Sequence, residues 1–227
     1  VLTLDIALQS TVEDILAQYV ARRPEEDRAP MAAAVVDMSG GVLALASYPS
    51  YDMTTFWDDY NDLVSDTELT PLVNRATQGR YAPGSTFKML TSIAALDTGT
   101  ITVNERVPCN GRYTFYSDAM SQPWCWLRSG HGLENVSRAI TDSCDIFYYD
   151  VGRRTTIAKI TEYAQKFGLG EYTGIEIPEV KGHVAGPETS AAYNQPWYDG
   201  DTMYAAIGQG MNEFTPLQLA NYVATLV

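Results

Sequence analysis

The sequence predicts an α+β fold, and three observations carry that prediction. Two apolar runs near the front are split by a short glycine turn, a train of helical patterns follows them, and one helix is apolar nearly all round. The 227 residues are 45% apolar and 19% charged, which is the composition of a globular chain long enough for one domain-sized core.

The elements follow in order. Val12, Ile15, Leu16, Tyr19 and Val20 recur at helical spacing, so residues 9–22 read as an amphipathic helix. A charged linker covers residues 24–30. Residues 31–38 and 42–48 are apolar runs around Ser39-Gly40-Gly41, a hairpin of buried strands. Residues 52–66 are acidic and aromatic with no period, and read as a surface excursion. Residues 87–96 lack a polar face, the mark of a buried helix, with Pro83-Gly84 at its start and Gly99 at its end. From Ile101 to Gly130 the pattern is irregular and rich in aromatics, as expected of loops over a groove. Helices are expected at 136–139, 145–153 and 157–167, the last ended by Gly168, and Thr215-Pro216-Leu217-Gln218 opens a final one.

Charge narrows the function. Lys and Arg number 15 against 28 Asp and Glu, a formal charge of −13, which repels phosphate backbones and anionic headgroups. No nucleic acid is expected as a ligand. No segment approaches the ~20 apolar residues of a membrane helix, and no secretion signal opens at Val1. Both ends read as cuts in a longer chain, so residues 1–227 are expected to be one partial domain. Cys109, Cys125 and Cys144 with His131 form a Cys3His set, but the C-x2-C spacing that marks zinc sites is absent. No metal and no organic cofactor is expected, and the cysteines are read as structural.

The chemistry starts at Ser85-Thr86-Phe87-Lys88. Residues three apart share a helix face, so Lys88 can reach the Ser85 hydroxyl. In a first helical turn, unpaired amides and the helix dipole favour a developing oxyanion at Ser85. Burial disfavours an ammonium, so Lys88 would release its proton below the usual ~10.4 and act as general base. The plainer alternative is a capping serine and a surface lysine. Against it, a lysine one turn into an apolar helix needs a partner. Ser143-Cys144-Asp145 offers a second hydroxyl to relay protons between Lys88 and a leaving amine. Asp145 would fix a substrate amide or Lys88. Taken alone, Ser and Asp are also what any helix start carries.

Several runs then add up. Leu2-Thr3-Leu4-Asp5, Ser47-Tyr48-Pro49-Ser50-Tyr51-Asp52, Asn74-Arg75-Ala76, residues 81–88, Gly130-His131-Gly132, the Ser143 triplet, Ile207-Gly208-Gln209-Gly210 and Thr215-Pro216-Leu217-Gln218 stand in one order along nearly the whole chain. Together they closely resemble the transpeptidase domain of class B penicillin-binding proteins. S-x-x-K, S-D-N and K-T-G are the established signature of that enzyme group.

The resemblance implies a penicillin-binding protein/serine β-lactamase-like fold, with an antiparallel sheet packed against helices. It makes Ser85 the acylated nucleophile, Lys88 its base, Ser143 the proton relay and Asp145 a substrate-binding residue. Asp145 stands where most of the family has Asn, a departure closer to the wall-elongation branch. The substrates implied are D-Ala-D-Ala peptidoglycan stem peptides, with β-lactam antibiotics acylating the same serine. A shape-and-division-family glycosyltransferase is the implied partner, and the outer face of the bacterial cytoplasmic membrane the implied location. That setting also implies a Cys109–Cys125 disulfide, with Cys144 buried and reduced.

Lys-Thr-Gly occurs nowhere in the sequence. The last strands are expected to be missing, and residues 1–227 alone to acylate penicillin at a negligible rate. Two rivals share parts of the pattern. A β-lactamase or β-lactam sensor has the serine and lysine, but no glutamate motif for activating water is found. A non-catalytic wall-binding module would not need Ser85, Lys88 and Ser143 together.

His131 between two glycines reads as a hydrogen-bonded loop residue, and His183 has no motif around it. Gly208 and Gly210 read as permitting a backbone turn.

Overall fold

The computed structural model of the chain describes residues 2–117 and 122–227. Val1 and residues 118–121, the latter inside the irregular aromatic stretch, lie outside the described residues. The elements in order are α1 (Ile6–Ala21), β1 (Met31–Val36), β2 (Val42–Tyr48), α2 (Phe56–Ser65), α3 (Arg75–Gln78), α4 (Lys88–Asp97), β3 (Val107–Cys109), β4 (Gly132–Glu134), α5 (Val136–Thr141), α6 (Asp145–Thr155), α7 (Ile157–Lys166), α8 (Pro187–Ala192), α9 (Asp201–Ala206) and α10 (Pro216–Ala224). Helices with small antiparallel sheets make an α+β fold, as expected. The chain divides into two compact units: Val1–Tyr81 with Glu171–Gly182 and Phe214–Val227, and Ala82–Gly170 with His183–Glu213.

The first unit is built on the hairpin. β1 and β2 pair antiparallel from Met31↔Tyr48 to Val36↔Val42, with a register shift at Val35/Val36. The turn is held by Asp37, whose carboxylate accepts from Ser39 N at 2.8 Å, Ser39 Oγ at 2.6 Å and Gly41 N at 2.9 Å. Those bonds, led by the Ser39 hydroxyl, hold its carboxyl below the ordinary carboxylate range. Helix α1 begins at Ile6, three residues before the predicted start at Gln9. Asp5 caps it, accepting from Ala7 N at 3.0 Å and Leu8 N at 3.1 Å. Its predicted stripe is buried at Leu16 and Val20, while Ile15 and Tyr19 remain exposed. Gln9 turns its side-chain amide onto β2, donating to Leu45 O at 3.0 Å and accepting from Leu45 N at 2.7 Å.

Residues 52–66 are on the surface, as predicted, but they include helix α2. None of its residues is buried, which is why no hydrophobic period betrays it. The buried Arg75 donates to Leu69 O, to Thr70 Oγ1 at 2.7 Å and to Thr70 O at 3.3 Å, folding residues 69–73 around one guanidinium. Helix α10 opens with the predicted capping box. Gln218 N donates to Thr215 Oγ1 at 3.2 Å and Thr215 N donates to Gln218 Oε1 at 3.0 Å, with Pro216 at the first helical position.

The second unit carries the chemistry. Its core gathers Ala95, Val107, Tyr113, Val136, Ile146, Phe147, Val151 and Met203 with all three cysteines. The expected buried helix opens with a 3-10 turn over Gly84–Phe87 before becoming α4. Phe87, Leu90, Ala94 and Ala95 bury it, and its two internal hydroxyls are satisfied. Thr91 Oγ1 donates to Ala206 O at 2.8 Å, and Ser92 Oγ donates to Lys88 O at 2.9 Å. Helices α5, α6 and α7 fall where periodicity puts them. The short α8 and α9, and the three-residue strands β3 and β4, carry too few residues to show a period. Helix α6 meets α9 at Gly152, where a Cβ would stand 2.2 Å from that of Ala206.

Candidate active site

Ser85, Lys88, Ser143 and Asp145 converge in the second unit. Ser85 is exposed at the floor of a cavity of about 530 Å³ walled by Trp126, Ser143, Asp145, Ile207 and Gln209. Lys88 is 2% exposed. Its Nζ donates to Asp145 Oδ1 at 2.6 Å, Ser143 O at 2.9 Å and Ser143 Oγ at 3.0 Å, so all three ammonium hydrogens have acceptors. Ser143 Oγ in turn donates to Ser85 Oγ at 2.9 Å. The i,i+3 spacing puts Lys88 within reach of Ser85. The structure joins them through Ser143, because the 3-10 turn places both side chains on the same side with that hydroxyl between them.

Two helices place the relay. Ser143 follows the end of α5 with φ +49°, a left-handed conformation usually left to glycine. That kink sends the next residues into α6 and turns the Ser143 carbonyl and hydroxyl toward Lys88. Asp145 accepts from Lys88 on one oxygen and from Trp126 N at 3.0 Å on the other. Of the two roles open to Asp145 in the sequence, its hydrogen bonds carry the one toward Lys88. Trp126, seen only as one of many loop aromatics, donates its indole N–H to Asp142 O and Ser143 O, both at 3.1 Å. It pins the loop that carries the relay, and no linear motif announces it.

The glycines of Ile207-Gly208-Gln209-Gly210 act behind the nucleophile. Gly208 O accepts from Gly84 N at 2.9 Å. Gly208 has φ +73°, and a Cβ on it would lie 2.2 Å from Gly84 O. A methyl group there has neither the backbone angle nor the space. Gly208→Ala is expected to cost about 3 kcal/mol of stability and to shift the Ser85 turn, lowering penicillin acylation. Thermal melts and labelling rates on the same sample check both.

The cysteines overturn the Cys109–Cys125 disulfide that the resemblance implied. No disulfide joins Cys109 and Cys125, and all three cysteines are buried free thiols. Their sulfurs and a ring nitrogen of His131 lie within 4.8 Å of one another. His131 Nδ1 stands 3.6 Å from Cys109 Sγ and 3.5 Å from Cys125 Sγ. A tetrahedron with ~2.3 Å metal–sulfur bonds has edges of about 3.8 Å, so the donor set fits Zn²⁺ in a closed structural site. Spacing hid this because the ligands come from β3, a loop, the turn before β4 and the cap of α6.

Burial pushes the Cys144 thiol well above its ordinary range. His131 Nε2 and both Glu134 oxygens are buried without a hydrogen bond, and burial raises the Glu134 carboxyl. Cys125 adjoins Trp126 and Cys144 lies between Ser143 and Asp145, so the cluster braces both strands of the relay. His183 is elsewhere, with Nε2 2.8 Å from Tyr193 Oη.

Known proteins resemble this chain along nearly its whole length. The family described as penicillin binding protein transpeptidase domain matches residues 31–227. Over 240 residues the chain is 39% identical to the peptidoglycan D,D-transpeptidase MrdA of Escherichia coli (strain K12), covering all of this chain and 35% of that protein. The structure of Pseudomonas aeruginosa PBP2 in complex with WCK 5153 matches with a TM-score of 0.83 at 31% identity, over 99% of this chain and 50% of that one. A chain from a structure on the coordination of polymerization and crosslinking by a peptidoglycan synthase complex matches with a TM-score of 0.84 at 33% identity, over 99% of this chain and 41% of that one. This chain spans about a third of the length of the curated relatives it matches.

Proposed function

The chain belongs to the penicillin-binding protein transpeptidase domain family, and from that premise we propose that it serves peptidoglycan D,D-transpeptidation by serine acyl transfer. Residues 1–227 supply the nucleophile, base and relay of one transpeptidase domain. The observation that carries this reading is the continuous hydrogen-bonded chain from Lys88 Nζ through Ser143 Oγ to Ser85 Oγ.

Ser85 attacks the penultimate D-alanine carbonyl of a D-Ala-D-Ala stem peptide. Its proton passes to Ser143 while the Ser143 proton passes to Lys88, once Lys88 has a free lone pair. The chain as found runs the other way, each group donating toward Ser85. That is the direction that protonates the departing D-alanine amine, and rotation of two hydroxyl hydrogens reverses it. An amine from a neighbouring stem then takes the acyl group and frees Ser85. The amides of the first turn, beside the helix dipole, favour the oxyanion. β-Lactams acylate the same oxygen.

Identity to a protein named MrdA and an Asp at position 145 favour the elongation-type branch. A shape-and-division-family glycosyltransferase is the partner we infer, supported by the match to a chain of a peptidoglycan synthase complex. The outer face of the cytoplasmic membrane is the location such a reaction requires. Among the described residues no helix is long and apolar enough to cross a membrane.

Incubating the full-length protein with a stem pentapeptide tests the reading. D-alanine release should accompany a covalent adduct on the peptide containing Ser85. An adduct elsewhere, or release without any adduct, would overturn it.

A further inference from the structure

We propose that the cavity beside the Ser85 pocket binds the acceptor amine, in its ammonium form, before transfer. This inference rests on the acyl-transfer reading and assigns that reaction's second substrate a place.

The cavity measures about 800 Å³ and lies within the second unit. Trp197, Tyr198, Asp201 and Tyr204 line it, and Ile207 and Gln209 wall both it and the Ser85 pocket. A molecule held here therefore sits against the shared wall of the acyl-serine rather than at a remote surface.

Its chemistry is one-sided. Among the described residues that line it there is no Lys, Arg or His, and Asp201 is the one carboxylate. Asp201 Oδ2 accepts from Tyr198 N at 2.7 Å and Asp201 N donates to Tyr198 O at 2.9 Å, which locks the turn into α9. The other carboxylate oxygen makes no hydrogen bond among the described residues, so it can take one from a ligand. Tyr198 is 65% exposed and Tyr204 40% exposed, large rings left facing solvent. Aromatic faces around a fixed carboxylate attract a cation by ring quadrupole and charge together. An anionic or purely apolar guest would leave the carboxylate opposed or unpaired. The transfer step needs an amine, and amines arrive protonated at neutral pH. The basin recruits and orients that group; the ammonium first gives one proton to solvent, and the proton the neutral amine loses on attack passes through the Lys88–Ser143 chain to Ser85 Oγ as the acyl–oxygen bond breaks.

The two half-reactions separate the test. Fluorescent penicillin acylates Ser85 without an acceptor, whereas a D-alanyl thioester with an added diamino-acid peptide reports aminolysis. In the full-length protein, Asp201→Asn keeps an acceptor for Tyr198 N and should label with penicillin within about twofold of the parent, while its KM for the amine rises about tenfold with little change in kcat. Tyr198→Ala, at an exposed position, should move the same KM in the same direction. Raising salt should raise that KM in the parent more than in Asp201→Asn. An unchanged amine KM in both variants would overturn the assignment. Penicillin labelling that falls as steeply as aminolysis would overturn it too, by placing the cavity in the first half-reaction. A parent protein that acylates but transfers to no amine would instead refute the transpeptidase reading beneath it.

Discussion

Full-length protein carrying Ser85→Ala should show no covalent labelling by fluorescent penicillin at any time, with its melting temperature nearly unchanged. Ser85 is exposed and its hydroxyl has one partner among the described residues, Ser143 Oγ. Little packing is lost and all of the nucleophile is. Lys88→Ala should slow labelling by about 10²–10⁴, the usual loss when a positioned proton acceptor is removed. It should also destabilise, because Lys88 is 2% exposed and its loss leaves the Asp145 carboxylate without its ion-pair partner. Breaking one side of such a pair costs about 3–5 kcal/mol when buried, and less here because Asp145 retains some solvent. Rates must therefore be referred to the folded fraction.

Asp145→Asn should be the mildest, about tenfold or less. Its side-chain oxygen still accepts from Lys88, while the charge of the ion pair and the bond from Trp126 N are lost. Persistent covalent labelling of Ser85→Ala would move the nucleophile to another residue.

Stripping zinc should produce the second large effect. The purified full-length protein is expected to carry one equivalent of zinc by elemental analysis, and Cys144→Ser to carry far less. The four donors are already gathered within 4.8 Å of one another, so an ion bound there would fasten β3, the 125–131 loop and the start of α6 to one another. If the ion contributes about 4 kcal/mol, a strong chelator should lower the melting temperature by roughly 10 °C or more. Penicillin labelling should fall alongside, since Trp126 and Asp145 are held by neighbours of the ligands. Zinc-free protein whose melting curve ignores the chelator would make the cluster a thiol-lined core and nothing more.

These effects also separate what a linear reading can and cannot reach. Ser85 and Lys88 are legible because their relation is local, three residues along one turn. The hairpin, α1, α4, α7 and α10 are legible because each buries a face or carries a cap that leaves a period. Helix α2 buries nothing and leaves none. Helices α8 and α9 and strands β3 and β4 are too short for a period. The cysteine and histidine ligands are separated by 16, 6 and 13 residues, and only the tertiary path of β3, β4 and α6 brings them together. Trp126 escapes for a similar reason, since its work is done by a backbone N–H and an indole that reach across to another loop. That Lys88 reaches Ser85 follows from helical geometry, and a 3-10 turn with an intervening hydroxyl makes the link.

The left-handed backbone at Ser143 has a consequence for how this position can be maintained. A serine at φ +49° is strained by roughly 1 kcal/mol, while glycine adopts that angle freely and loses a similar amount through the flexibility of the unfolded chain. The two nearly cancel, so Ser143→Gly should melt within about 2–4 °C of the parent. It would also remove the one hydroxyl that, among the described residues, bridges Lys88 and Ser85. A cell that screens its proteins for misfolding would pass the variant unnoticed, and a selection for heat resistance in the laboratory could accept it. Only the demand for turnover can hold serine at 143.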